Sequence, residues 1–308
     1  MTNLLRSRVL WGAVLLTVVA ATLPWWLSGY VLGILTLAYY FGVFSMAWDL
    51  LFGFAGEVNF GPTFLIGLGA YTAAILDSKW GPPIPVCIVA GGLVALVGGL
   101  LLAVPAMRLR GPYFGLMTLV AVLLLQNSIV IFASVTGGEI GMMVPDVMSV
   151  SANVNYWYAL GFLVVCAVIL FGLSRSAIGL ILQASGQDAI GAQALGFNVT
   201  KHKLAAFCIS ALFSGVAGAM LVFYQGTASV STVVDLGVGV QIIIAAVLGG
   251  RRTILGAVIG SIFLIVAGEF LRPLGQINTF VVAAVALAVI LFFPDGLLGN
   301  LLRVRERE

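Results

Sequence analysis

The 40 residues from Val9 to Trp48, VLWGAVLLTVVAATLPWWLSGYVLGILTLAYYFGVFSMAW, contain no charged residue. An α-helix rises about 1.5 Å per residue and the hydrocarbon core of a bilayer is about 30 Å thick, so one spanning helix needs about 20 apolar residues. The stretch is long enough for two such helices. It therefore predicts two membrane spans, at residues 9–27 and 30–51.

The rest of the chain has the same character. Of its 308 residues 62% are hydrophobic and 8% are charged, and the mean hydropathy is +1.18. Soluble globular proteins carry about 25% charged residues, so an ordinary soluble core is excluded. We expect an all-α polytopic membrane protein, with residues 1–308 forming a single transmembrane domain of about ten helices, some of them short or broken. The predicted spans are 9–27, 30–51, 60–77, 84–105, 112–133, 157–173, 204–225, 237–250, 254–271 and 276–293.

The basic residues predict which loops face the cytoplasm. Cytoplasmic loops are enriched in Lys and Arg. If ten spans alternate from a cytoplasmic N-terminus, only Lys79 and Arg272 of the 14 basic residues fall on the outer side. Both termini and the segment 176–203 are therefore predicted to be cytoplasmic. The net charge of +3 is explained by this topology, so no nucleic-acid partner is expected.

The segment 176–203, SAIGLILQASGQDAIGAQALGFNVTKHK, is unusually polar for this chain. Ser185 and Asp188 have the S-x-x-D spacing of a capping box, so we expect a short helix to start at Ser185 and to end at Gly196. A helix of about ten residues is about 15 Å long, half the thickness of a bilayer. It cannot span the membrane. We expect a cytoplasmic helix whose purpose is to contact a partner.

Several kinds of chemistry are absent from the sequence. No G-x-x-x-x-G-K-[ST] motif occurs, so the chain has no P-loop for ATP, and the zinc-protease and serine-hydrolase motifs are also missing. Cys87, Cys166 and Cys208 lie in apolar runs without metal-ligand spacing. We expect no catalytic residue, no cofactor and no metal site, and therefore no enzyme.

Two glycine-rich stretches interrupt the apolar runs. The first helix break, residues 53–62, reads GFAGEVNFGP, and the second, residues 249–253, reads GGRRT and follows a short apolar run that begins at residue 236. Interrupted helices at membrane depth are tolerated where they line a path for substrate. Tight turns at the cytoplasmic surface explain the same residues equally well. At other positions, such as Gly256 and Gly260, glycine spacing predicts close helix packing.

The chain resembles the permeases of the branched-chain amino-acid ABC importer family. The resemblance is carried by ordered sequence blocks, which are 53–61 with 66–72, 109–114, 194–200 with 203–207, 247–250, 255–260 and 294–299. It implies an importer subunit that pairs with a second, homologous or identical permease, binds two cytoplasmic ATPases and receives substrate from an extracytoplasmic binding protein. The implied location is the cytoplasmic (inner) membrane of a bacterium or archaeon. Branched-chain or other hydrophobic amino acids are the implied substrates.

The resemblance also implies roles for particular residues. In such importers the segment matching 185–196 is a coupling helix that docks on the ATPase. The residues assigned here to docking are Ser185, Gln187, Asp188, Ala192, Ala194, Leu195 and Gly196. The residues assigned to the translocation path are Gly53, Gly56, Glu57, Asn59, Gly61, Tyr71, Thr72, Gly249 and Gly250.

The chain departs from the family pattern near both assigned regions. The family commonly has Gln where Glu57 stands and His where Pro62 stands, and often Arg and Glu within the stretch matching 184–187. A carboxylate at the path would suit a cation or an amine. Alternative substrates are urea and short amides, with sugars more distant. An ion-coupled secondary transporter that uses Asp49, Glu57 and Asp235 is a different class of function.

Overall fold

The computed structural model describes residues 14–109 and 111–274, together with residues 12, 284 and 296. Nearly all elements in these ranges are helices, and one short antiparallel pair of strands joins two loops. The helices are α1 (Val14–Trp25), α2 (Gly29–Asp49), α3 (Pro62–Trp80), α4 (Ile84–Ala106), α5 (Pro112–Ile131), α6 (Ala133–Thr136), α7 (Ala152–Arg175), α8 (Ala177–Gln187), α9 (Ala189–Ala194), α10 (Val199–Gln225), α11 (Val230–Val233), α12 (Leu236–Gly249) and α13 (Leu255–Phe270). The strands are β1 (Met142–Met143) and β2 (Thr227–Ala228). A π-helical turn (Leu50–Phe54) extends α2, and a 3-10 turn (Arg272–Leu274) follows α13.

Prolines mark where several helices begin. Pro62 and Pro112 are the first residues of α3 and α5, and each follows a glycine. Pro83 precedes α4. Proline suits the first turn of a helix because its fixed φ matches the helix and its missing N–H has no partner there in any case. The local sequence thus favours helix starts at these positions.

The interior is packed around α2 and α10, the two most enclosed spans. Helix α10 packs along α3 and α4, while α2 packs against α7, α12 and α13. Gly69 of α3 and Gly91 of α4 lie against Gly215 of α10 so closely that a Cβ at Gly69 or Gly215 would collide with its neighbour. Small residues allow such close approach where lipid gives no hydrophobic drive between helices.

The predicted packing of Gly256 and Gly260 is confirmed. A Cβ on Gly256 would collide with the backbone of Gly249, and one on Gly260 would collide with the backbone of Ala245. Helices α12 and α13 therefore lie in backbone contact.

Six helices in the described residues are long and apolar enough to cross a membrane, so the predicted count of about ten is not confirmed. Helices α1 and α13 are shorter apolar helices. Helix α3 has 19 residues but ends in a polar stretch that includes Asp77 and Lys79. The predicted span 276–293 lies outside the described residues. The six are Gly29–Phe54, Ile84–Ala106, Pro112–Ile131, Ala152–Arg175, Val199–Gln225 and Val230–Gly249.

Contacts between loops show which ends of the helices lie together. At one end β1 pairs with β2, and the backbone N–H of Asp146 donates to Asp77 Oδ2 at 3.2 Å. At the opposite end the first helix break contacts both the second break and the segment 176–203. This grouping agrees with the alternation of loops predicted from the charges.

The predicted start of the coupling helix at Ser185 is wrong. Ser185 lies inside α8, where its hydroxyl donates to the Leu182 carbonyl at 2.8 Å. The helix that follows is α9, and its N-cap is Asp188, whose Oδ1 accepts from the N–H groups of Ile190 and Gly191 at 3.0 and 2.9 Å. Because the Ser185 hydroxyl bonds within α8, it does not cap the start of a helix. The carboxylate of Asp188 caps α9 instead.

The predicted end of the coupling helix at Gly196 is confirmed. Helix α9 ends at Ala194, and Gly196 has a φ of +88°, a left-handed conformation that favours glycine. The polar segment 176–203 thus contains two short helices, α8 and α9, and the first turn of α10.

Candidate functional site

Three large apolar side chains on and just after α9 are exposed. The side chains of Ile190, Leu195 and Phe197 are 80%, 77% and 40% exposed. Ala192 is 3% exposed and fixes the other side of α9 against the protein. We call Ile190, Leu195 and Phe197 the α9 patch. Large apolar side chains exposed within an otherwise polar segment indicate a surface that a partner covers.

The residues assigned to docking from sequence fall into two groups. Ser185 is 2% exposed and Ala192 is 3% exposed, so both face the protein interior. The others are exposed: Gln187, Asp188, Ala194, Leu195 and Gly196. The sequence reasoning missed Ile190 and Phe197. Their signal was present, since both are large apolar residues within a polar segment.

The coupling segment, residues 176–203, contacts the first helix break at two points. At the first point Gly56 lies against Gly186 of α8. A Cβ on Gly56 would come within 2.9 Å of the Gly186 backbone, and one on Gly186 would come within 2.7 Å of the Phe54 carbonyl oxygen. Gly56 also has a φ of +73°. Only glycine fits both demands at position 56.

The second contact is an ion pair. Lys203 Nζ, in the second turn of α10, lies 2.6 Å from Glu57 Oε1. The side chains of Lys203 and Glu57 are 13% and 21% exposed. The carboxylate assigned from sequence to the translocation path is therefore paired with a lysine of the coupling segment.

The remainder of the first break is held from within the protein. Asn59 is 1% exposed, its carbonyl accepts from Trp48 Nε1 at 2.6 Å, and its Oδ1 accepts from the N–H of Gly61 at 2.8 Å. Gly61 lies directly against the backbone of Thr118 in α5, where a Cβ would collide. Asn59 and Gly61 thus fix the turn that leads into α3.

Asp49, the last residue of α2, connects the chain just before the first break with the second break. Its carboxylate is fully buried and accepts from the N–H groups of Arg252 and Ile254, each at 3.1 Å. Arg252 Nε donates in turn to the carbonyl of Gly53 at 2.8 Å. The two glycine-rich stretches, distant in sequence, are therefore one connected structure at one end of the helices.

The second break has an unusual backbone. Gly250 has a φ of +115°, and two residues other than glycine, Arg252 and Ile254, have φ values of +63° and +47°. Left-handed conformations are costly for residues with a Cβ, and most of all for β-branched residues such as isoleucine. The two bonds to Asp49 are made by the N–H groups of these same residues, so the carboxylate offsets the cost.

Tyr71 and Thr72, the other residues assigned to the path, lie apart from this cluster. They belong to α3, about 14 Å along the helix from Pro62. Tyr71 is 4% exposed and Thr72 is half-buried. The hydroxyls of Tyr40, Thr63 and Tyr71 are all buried and, within the described residues, have no hydrogen-bond partner.

The described residues contain no group of three His, Cys, Asp or Glu side chains suited to a metal ion. What the structure offers is a polar assembly at one end of a helical bundle, with an apolar patch on its surface.

Residues 30–294 match the family described as the permease component of branched-chain amino acid transport systems. The chain belongs to this family. The resemblance predicted from sequence blocks is thereby confirmed, and this chain is a multi-pass membrane permease.

Named relatives agree with this assignment. The chain is 27% identical over 319 residues to the high-affinity branched-chain amino acid transport system permease protein LivM of Escherichia coli, covering 92% of this chain and 74% of that protein. It is 25% identical over 294 residues to the corresponding permease protein BraD of Pseudomonas aeruginosa, covering 86% and 94%. It is also 26% identical over 229 residues to the ribose import permease protein RbsC of Haemophilus influenzae, covering 70% and 69%. No solved structure matches the chain.

Proposed function

We propose that this permease is the translocation subunit of an ATP-driven ABC importer for branched-chain or other hydrophobic amino acids. It works with a second, homologous or identical permease, two cytoplasmic ATPases and an extracytoplasmic binding protein. It lies in the cytoplasmic (inner) membrane of a bacterium or archaeon, with both termini in the cytoplasm. The chain itself has no P-loop, so the ATPase subunits hydrolyse the ATP.

The observation that carries this proposal is the α9 patch on the coupling segment. Ile190 on α9 and Leu195 at its C-cap expose most of their surface. Apolar side chains at the centre of an interface are the usual anchors of protein binding. The segment lies at the end of the bundle that the basic residues predict to be cytoplasmic, and an ATPase subunit is the partner proposed for that side.

The unpartnered hydroxyls mark a candidate path through the bundle. Tyr40, Thr63 and Tyr71 are each 4% exposed or less, and their hydroxyls lack partners in the described part of the chain. A buried polar atom without a partner costs about 1–3 kcal/mol, a cost that water or a polar group of a transported solute removes. We place the path along α2 and α3, with Tyr71 and Thr72 beside it.

The carboxylates that an ion-coupled transporter would need are all engaged in local contacts. Asp49 accepts from the backbone of the second break, and Glu57 pairs with Lys203. Asp235 caps α12 by accepting from the N–H of Gly237 at 2.7 Å. These contacts favour coupling through a partner protein over coupling through a bound ion.

The proposal is tested by uptake into vesicles that contain the whole complex. We expect uptake of a radiolabelled branched-chain amino acid to require ATP on the side of the membrane that carries the ATPases. It should also require the binding protein on the opposite side. Uptake driven by a proton gradient in the absence of ATP would contradict it. A ligand screen on the binding protein identifies the amino acid.

The docking surface is tested separately by Leu195→Asp. This change places a charge at the centre of the α9 patch and should reduce co-purified ATPase by about tenfold or more. The matched control is Val150→Asp, since Val150 is 97% exposed in a loop at the opposite end. If Leu195→Asp still co-purified with the ATPase, or if Val150→Asp lost it, the ATPase would not bind at the α9 patch.

The orientation is tested by cysteine labelling. Asp146→Cys and Gln187→Cys introduce thiols at two exposed positions at opposite ends of the bundle. An impermeant reagent should label position 146 from outside the cell and position 187 only from the cytoplasmic side. Cys87 and Cys166 are buried and Cys208 is half-buried, so the native chain gives the background. The reverse labelling would invert the topology.

A further inference from the structure

The Glu57–Lys203 ion pair joins two elements that the proposed function requires to move together. Lys203 lies just beyond α9, the helix assigned to the ATPase, and Glu57 lies in the first helix break. The two residues are separated by 146 positions in sequence. The pair therefore connects the coupling segment to the break by side chains alone.

The connection is arranged so that it can separate and re-form. Both side chains keep some contact with solvent, at 13% and 21% exposure. An ion pair with partial access to water loses less on opening than a fully buried pair, because water can replace part of the lost contact. A fully buried pair would leave two uncompensated charges on opening.

The neighbouring glycine contact keeps the two elements at a fixed distance. Gly56 and Gly186 touch through their backbones, with no side chain between them. A displacement of α8 therefore pushes directly on the first break. The ion pair acts in the opposite direction, because it resists the separation of α10 from the same break.

The second break extends this linkage. Arg252 Nε donates to the Gly53 carbonyl, so the first break is connected at its start to the second and near its middle to the coupling segment. The first break is thus contacted by the coupling segment at Gly56 and Glu57 and by the second break at Gly53.

We propose that Glu57 is a positioning residue that couples the ATPase-docking segment to the first helix break through Lys203, and that it does not select the substrate. This inference rests on the proposed function. It assigns the Glu57 carboxylate to the transmission of movement.

The test measures amino-acid uptake and ATP hydrolysis together in vesicles that contain the whole complex. For Glu57→Gln and for Lys203→Gln we expect uptake per ATP hydrolysed to fall about fivefold, because either change removes the ion pair. The exchanged variant, Glu57→Lys with Lys203→Glu, should regain most of the ratio. Arg108→Gln is the control, since Arg108 is an exposed cation on the loop between α4 and α5, and its ratio should not change.

The outcomes separate the inference from the proposed function. Wild-type complex without ATP-dependent uptake would overturn both. ATP-dependent uptake in the wild type with an unchanged ratio in Glu57→Gln would overturn the inference alone. A loss in Glu57→Gln without a matching loss in Lys203→Gln, or a change in which amino acid is taken up, would assign Glu57 to the substrate instead. Failure of both single variants and the exchanged variant to assemble with the ATPase would make the pair a structural contact and would also overturn the inference.

Discussion

Both helix breaks place glycines beside charged residues, but different contacts hold them. The second break is fixed by Asp49, a fully buried carboxylate that accepts two backbone N–H groups. The first break is held to the coupling segment by a backbone contact at Gly56 and by the Glu57–Lys203 pair, which keeps some contact with solvent.

The difference indicates which break is fixed and which can move. Separating the second break from Asp49 would leave buried donors without acceptors, and each costs about 1–3 kcal/mol. Separating the first break from the coupling segment exposes an ion pair of about 1 kcal/mol or less. We therefore expect substitutions at the second break to act on stability, and substitutions at the first to act on transport.

The largest expected effect is that of Asp49→Ala. The substitution removes the acceptor for the N–H groups of Arg252 and Ile254, whose left-handed backbone it supports. We expect a loss of about 2–6 kcal/mol, measured as a fall in the melting temperature of the detergent-solubilised protein and in the amount that accumulates.

The control for Asp49→Ala is Asp235→Ala. Asp235 also accepts from backbone, but it caps α12 in a partly exposed position, and we expect a loss of about 1 kcal/mol. Equal losses for the two variants would contradict the assignment of the second break as the fixed one.

A smaller effect is expected for Gly186→Ala, which tests the contact between the coupling segment and the first break. The added Cβ would lie 2.7 Å from the Phe54 carbonyl oxygen, so α8 and the break must move apart. We expect a loss of stability of about 1–3 kcal/mol together with reduced uptake per ATP. The melting temperature and the uptake ratio are the two measurements.

Gly172→Ala in α7 is the matched control for Gly186→Ala. No atom lies within 4 Å of a Cβ at Gly172, and alanine is the better helix former by about 1 kcal/mol. We expect unchanged transport and equal or higher stability. If Gly186→Ala also left stability and transport unchanged, the coupling segment and the first break would be independent of each other.

The sequence predicted the local features of this site but not the contacts between its parts. Uncharged runs indicated the apolar helices, and the predicted first break ends at Pro62, where α3 begins. The bonds from Asp49 to Arg252 and from Glu57 to Lys203 bridge 203 and 146 positions. Contacts at such separations leave no periodic signal in the sequence, because they depend on which helices become neighbours.

The coupling segment shows the same limit on a smaller scale. Its short helix and its stop at Gly196 followed from length and glycine. The start was misplaced because two capping residues, Ser185 and Asp188, lie three positions apart. The choice between them depends on how far α8 continues, and α8 is held by its packing against α7, α10 and the π-helical turn that begins the first break.

The smallest expected effect concerns an exposed contact between the second break and the π-helical turn that leads into the first break. The guanidinium carbon of Arg251 lies 4.3 Å from the centre of the Phe52 ring. Because Arg251 is exposed, this cation–π contact should contribute about 0.5–1 kcal/mol. A double-mutant cycle with Arg251→Gln and Phe52→Leu, read from melting temperatures, isolates the interaction from the other effects of each substitution.

A coupling energy near 1 kcal/mol would show that the first break is also restrained from the side of the second. No measurable coupling would leave Asp49 and Arg252 as the connection between the breaks, and would sharpen the contrast between a break fixed by buried bonds and one that is free to follow the coupling segment.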